Sequence, residues 1–70
     1  MVEKIVELTG TSTGSIEDAV ALAVSRASVT LAGIREATVT KATAQVEDGK
    51  IAGWKVTVKV TFGIQDKVHE

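Results

Sequence analysis

Between Trp54 and Ile64 every second residue is large and apolar: Trp54, Val56, Val58, Val60, Phe62 and Ile64 alternate with Lys55, Thr57, Lys59 and Thr61. A period of two belongs to a strand with one buried face. Residues 51–64 are therefore expected to form a strand that is apolar on one side and basic and hydroxylated on the other. From Ile16 the spacing is different. Ile16, Val20, Ala23, Val24, Ala27 and Leu31 recur at intervals of three and four, the stripe of an amphipathic helix. Ser15 stands three residues before Asp18, a weak capping pattern, and the acidic Glu17 and Asp18 suit a helix N-terminus. Gly33 reads as the stop. The spacing predicts a helix over about 15–32 that can lie close to a sheet but buries little area per residue, because two of its six stripe positions are alanine. Leu22 and Val29 fall off the stripe on a common side. They are expected either at the edge of the core or against a second subunit.

Residues 2–9, VEKIVELT, are short and rich in Val and Ile, and read as a strand with Val6 and Leu8 on one face and Glu3, Ile5 and Glu7 on the other. GTSTG, 10–14, is a turn-rich break. GIREATVTKATAQVEDG, 33–49, reads as another strand, but neither of its alternating sets is a clean apolar row. One set holds Ile34, Glu36, Thr38, Thr40 and Ala42, and the other Arg35, Ala37, Val39, Lys41 and Thr43. The odd-numbered Ala37 and Val39 are small enough to lie under a helix, and the even-numbered residues from Glu36 on are assigned to the opposite face. EDGK, 47–50, is a strong hairpin signal, because Asp-Gly suits a tight primed turn. The order is β–α–β–β, an α+β fold: a three-stranded antiparallel sheet with one helix across one face, as a single domain over residues 1–70. Such a sheet leaves its second face bare and at least one edge strand unpaired.

Seventy residues make a small core whose stability is marginal without help. There is no Cys, which excludes disulfides, zinc–thiolate sites and thiol nucleophiles. The lone His69 is the penultimate residue, a poor place for a general base or metal ligand. Association is then the remaining source of stability. Eight Lys and Arg against nine Asp and Glu, spread along the chain with two aromatics in all, argue against a nucleic-acid partner. No apolar run is long enough to span a membrane and MVEKIVEL is not a signal peptide, so a soluble, cytoplasmic protein is expected. No catalytic set, phosphate-cradling glycine loop or metal-spaced histidine is present, and GTSTG lacks the Gly-Lys-Ser/Thr of a phosphate loop. An enzyme is not expected.

VEKIVELTGTS at the start, a helix a few residues later, the long hairpin through EDGK and VTVKVTF near the end together resemble the dodecins, over residues 2–63. ELTGTS, 7–12, is the most specific piece. The resemblance implies a β–α–β–β subunit whose sheet partly wraps its helix, and twelve copies assembled into a hollow shell. It also implies binding of flavin, for storage or protection rather than catalysis.

The same resemblance implies a ligand pocket at Arg35, Glu36, Thr38, Gln45 and Lys55. Flavin-binding dodecins stack a tryptophan on the isoalloxazine ring, at the position Glu36 holds here. They hydrogen-bond the ring with a glutamine, at the position Lys55 holds here. A glutamate offers no ring and resists desolvation, so weak or absent flavin binding is expected. Trp54 alternates with Lys55 and is expected in the core, on the helix side. On the family's pairing Glu36 and Lys55 are neighbours on the open face, and an ion pair between them is one reading. A different polar ligand, or calcium as in some relatives without the tryptophan, is the other. The partners implied are copies of the chain itself in a homododecamer, with a small molecule or a cation.

Overall fold

The computed structural model describes residues 2–64, for Ile64 the backbone alone; the expectation placed on His69 lies outside them. The elements are β1 (Val2–Ser12), α1 (Ile16–Thr30), β2 (Ile34–Glu47) and β3 (Lys50–Ile64). They form one antiparallel sheet in the order β1-β3-β2, with α1 across one face. The strand with the strictest alternation is thus the central one. Val56, Val58 and Val60 of β3 are fully buried, and with Ala19 and Ala23 of α1 they make the core. Val6, Leu8, Val20, Val24, Leu31, Ile34 and Ala37 pack around it.

The buried row of α1 is Ala19, Ala23 and Ala27, while Ile16 is 36% exposed. The expected stripe is therefore rotated, with Ala19 inside and Ile16 at the rim. The reason lies in β1. At Gly10 a Cβ would stand 2.6 Å from the Ala19 carbonyl oxygen and 3.0 Å from the Ala23 Cβ. Helix and strand approach so closely there that only alanines fit the contact line. Gly10 belongs to β1, which continues through Ser12 paired with Trp54. The first three residues of GTSTG are therefore strand rather than turn. The β-branched Thr9 and Thr11 suit an extended chain.

Ser15 caps α1, its Oγ accepting from the Asp18 N–H at 3.0 Å. The reciprocal half of a capping box is replaced by Ser12, whose Oγ donates to Asp18 Oδ2 at 2.6 Å and accepts from the Gly14 N–H at 2.9 Å. The helix ends earlier than expected. Leu31 is the C-cap in an extended conformation, and Gly33, with φ +75°, is not the stop but the turn into β2. The hairpin is as anticipated, with Asp48 and Gly49 both at positive φ, 53° and 74°.

The unclean alternation of β2 is resolved by its pairing with β3. The register shifts between Ile34 and Glu36, and again between Val39 and Lys41, leaving Arg35 and Thr40 as extra residues in bulges. Each extra residue reverses the parity. Ile34, Ala37, Val39, Ala42 and Ala44 stand opposite Phe62, Val60, Val58, Val56 and Trp54, and form one continuous apolar row on the helix side. Glu36, Thr38, Lys41, Thr43 and Gln45 share the outer face. The simple odd–even assignment holds for Ala37 and Val39 and fails beyond Thr40. Trp54 also departs from expectation: it lies on the helix side but is only half-buried and stands outside the core cluster, because β1 ends beside it.

Candidate functional site

The outer sheet face is built of rows across three strands. From one end these are Ile5–Thr61–Glu36, Glu7–Lys59–Thr38, Thr9–Thr57–Lys41 and Thr11–Lys55–Thr43. Hydroxyl groups line its middle, where Thr9 Oγ1 and Thr57 Oγ1 are 3.3 Å apart. Thr61 is buried, with Ile5 and Glu36 on either side of it in its row. At the bulge, Arg35 reaches across the side-chain-free Gly63 to Glu3, with Nη1 to Oε2 at 3.4 Å. Both side chains are about half exposed, so this pair contributes about 0–1 kcal/mol.

The five residues of the expected pocket fall into two groups. Arg35, Glu36 and Thr38 lie at the Thr61 end. Lys55 stands opposite Thr43, and Gln45 opposite Gly53, at the far end. Six positions of β3 separate Thr61 from Lys55, about 20 Å of strand. Within one chain Glu36 and Lys55 are therefore not neighbours, and the intrachain ion pair is excluded. The cation beside Glu36 is Lys59, on the diagonal through the Thr38–Lys59 pair. Lys59 also stands opposite Glu7. Lys59, Thr61 and Glu7 were missed in the sequence because strand order and bulge positions decide these neighbours.

Comparison with known proteins adds the family to this geometry. The dodecin family model matches residues 2–65. The chain belongs to the dodecin family. Among solved structures, the dodecin of Streptomyces coelicolor is 36% identical with a TM-score of 0.85, over 94% of each chain. That of Streptomyces davaonensis is 32% identical with a TM-score of 0.85, over 93% of this chain and 96% of the other. The calcium dodecin of Mycobacterium tuberculosis, described with a novel calcium-binding site, is 34% identical with a TM-score of 0.78, over 96% of each. No curated protein matches in sequence.

The chain keeps its two aromatic rings on one face of the sheet. Trp54 and Phe62, its two aromatic residues, share the face of Val56, so no ring stands on the outer face. Glu36 is exposed there, and Gln45 Oε1 lies over the bare Cα of Gly53, 2.9 Å from where a Cβ would be. Among the described residues no three His, Cys, Asp or Glu side chains gather to hold a metal ion. No helix in this range is long and apolar enough to cross a membrane.

Proposed function

We propose that this chain is the subunit of a cytoplasmic, non-catalytic, dodecin-type shell, a hollow dodecamer that binds or stores a small polar ligand and holds flavin weakly or not at all. The observation that carries this is the placement of both aromatic residues on the helix side. The outer face around Glu36 therefore offers a carboxylate, hydroxyls and an ammonium group, but no stacking surface. The stacking so lost amounts to about 0.5–1.5 kcal/mol beyond buried area for an aromatic pair, and the glutamate adds the cost of desolvating a charge. The pocket residues Arg35, Glu36 and Thr38 at one end, and Gln45 and Lys55 at the other, come together only across two copies of the chain. Riboflavin fluorescence titrated with the purified protein tests the reading: no quenching at micromolar concentration is expected, and strong quenching overturns it.

A cation-binding shell without an organic ligand is the second reading, favoured by the 34% identity to a calcium dodecin. A hard cation needs six to eight oxygens, which one chain does not assemble among its described residues. Glu36 carboxylates from several copies, with the Thr38 and Thr61 hydroxyls, are the donors this reading assigns. Calorimetric titration with calcium separates the two readings: heat that disappears in Glu36→Gln supports the cation, and no heat removes it.

A further inference from the structure

The far end of the hairpin runs past the rest of the molecule. β1 ends at Ser12 beside Trp54, so beyond that point β2 and β3 continue as a two-stranded ribbon, a form marginal by itself in water. Val46 and Ile51 stand opposite each other there. A third register shift, between Gln45 and Val46, makes Ala52 the extra residue and returns this pair to the face of Ala44 and Trp54. Among the described residues nothing covers them: Val46 is 61% and Ile51 58% exposed. At the tip Glu47 stands opposite Lys50, which leaves the Asp48 carboxylate without an opposite charge across the turn.

A second feature offers apolar side chains and an arginine. Between β1, an edge strand, and α1 lies a cavity of about 260 Å³ whose lining includes Leu8, Gly10, Leu22, Ala23 and Arg26. Leu22 is 41% exposed. Arg26 is exposed and has no ion pair among the described residues, whereas Arg35 is paired with Glu3. β1 also lacks the bulges and prolines that protect an edge, its ladder with β3 running in unbroken register from Val2 to Ser12.

We propose that this groove receives the hairpin arm of a second copy of the chain, with Val46 and Ile51 against Leu8 and Leu22, and Asp48 at Arg26. The inference rests on the self-assembly reading above and names the surfaces that assembly uses. Giver and receiver are different patches, so each copy lends one arm and accepts another. Such a heterologous contact stays finite only when the copies close into a ring or shell. It also accounts for an outstretched subunit: the Cα radius of gyration is 15.0 Å, against about 11 Å for a compact chain of this length.

The test is particle mass against protein concentration, by light scattering or analytical ultracentrifugation, on the full chain. Ile51→Ser and Leu22→Ser are each expected to raise the dissociation concentration at least tenfold, with far-UV circular dichroism unchanged. Arg26→Gln and Asp48→Asn, the latter keeping a residue that tolerates positive φ, are each expected to raise it several-fold. The double variant is expected to be no weaker than the weaker single, the signature of coupled partners. Additive single effects overturn the Asp48–Arg26 pairing. A wild-type oligomer indifferent to both serine substitutions overturns the arm-in-groove contact while leaving self-assembly standing. A wild-type monomer overturns both.

Discussion

Gly10 and Gly49 show how differently one residue type is used in this chain. At Gly10 the backbone is ordinary strand, but a Cβ would meet the Ala19 carbonyl oxygen at 2.6 Å. Gly10→Ala is therefore expected to push α1 off the sheet, destabilising by about 1–3 kcal/mol as overpacking does. At Gly49 nothing lies within 4 Å of a Cβ, and the demand is φ +74°. Gly49→Ala is expected to cost about 1–2 kcal/mol through the left-handed conformation alone, with no change in the helix contact. Urea unfolding of the two variants checks the magnitudes. Amide chemical shifts of Ala19 and Ala23, moving only in Gly10→Ala, check the distinction. Ser15→Ala removes the acceptor for the Asp18 N–H and is expected to cost about 1 kcal/mol, read in the same unfolding experiment.

At the scale of elements, the bulges of β2 decide which residues face the helix. Thr40 is the extra residue between the Val39–Val58 and Lys41–Thr57 pairs. Deleting Thr40 leaves a regular ladder in which Lys41 still points outward and Ala42 inward. The chain is expected to fold with the same residues inside, less twisted at that point. Deleting Ala42 is expected to be much worse. It brings either the Lys41 ammonium or the Thr43 hydroxyl against Val56, at a cost of about 2 kcal/mol or more. Thermal unfolding followed by circular dichroism ranks the two deletions, and equal losses would show that Thr40 is not the bulge residue. A bulge at Arg35 acts in the same way at the other end of β2. It turns Glu36 to the outer face and leaves the Arg35 guanidinium to reach Glu3 across Gly63.

For the whole molecule, the main fact is how little one copy covers. The core is three valines and two alanines fully or nearly buried, with a rim of half-buried aliphatics. Val2, Ile5, Leu22, Val29, Val46 and Ile51 are all more than a third exposed. A particle of about twelve times the 7.3 kDa chain mass is the expected result of light scattering on the native protein. A monomeric mass would remove the shell and, with it, any ligand site shared between copies. The outer-face groups also set a limit on re-engineering. Glu36→Trp with Lys55→Gln puts a tryptophan and a glutamine where the resemblance implies the flavin contacts, and flavin quenching is expected to rise at least tenfold. No rise would place the obstacle in the rest of the pocket, Lys59 and Thr61 included.

Local physics was enough for part of this. The strict alternation from Trp54 to Ile64, the helical stripe after Ser15 and the Asp-Gly turn each depend on a few neighbouring residues, so the β–α–β–β order and the family were legible from the chain. Leu22 and Val29 were likewise legible as outlying apolar positions. What the tertiary structure decided is everything that depends on register. Pairing with β3 inserts Arg35 and Thr40 as extra residues, and a bulge has no local signature in a sequence rich in Thr and Ala. The close approach at Gly10 rotates α1 so that Ala19 rather than Ile16 is inside. Register likewise separates Glu36 from Lys55 by about 20 Å and sets Lys59 beside it. Alternation within a strand is a local property, but the bulges that reset it and the neighbours across a sheet follow from the alignment of strands far apart in the chain.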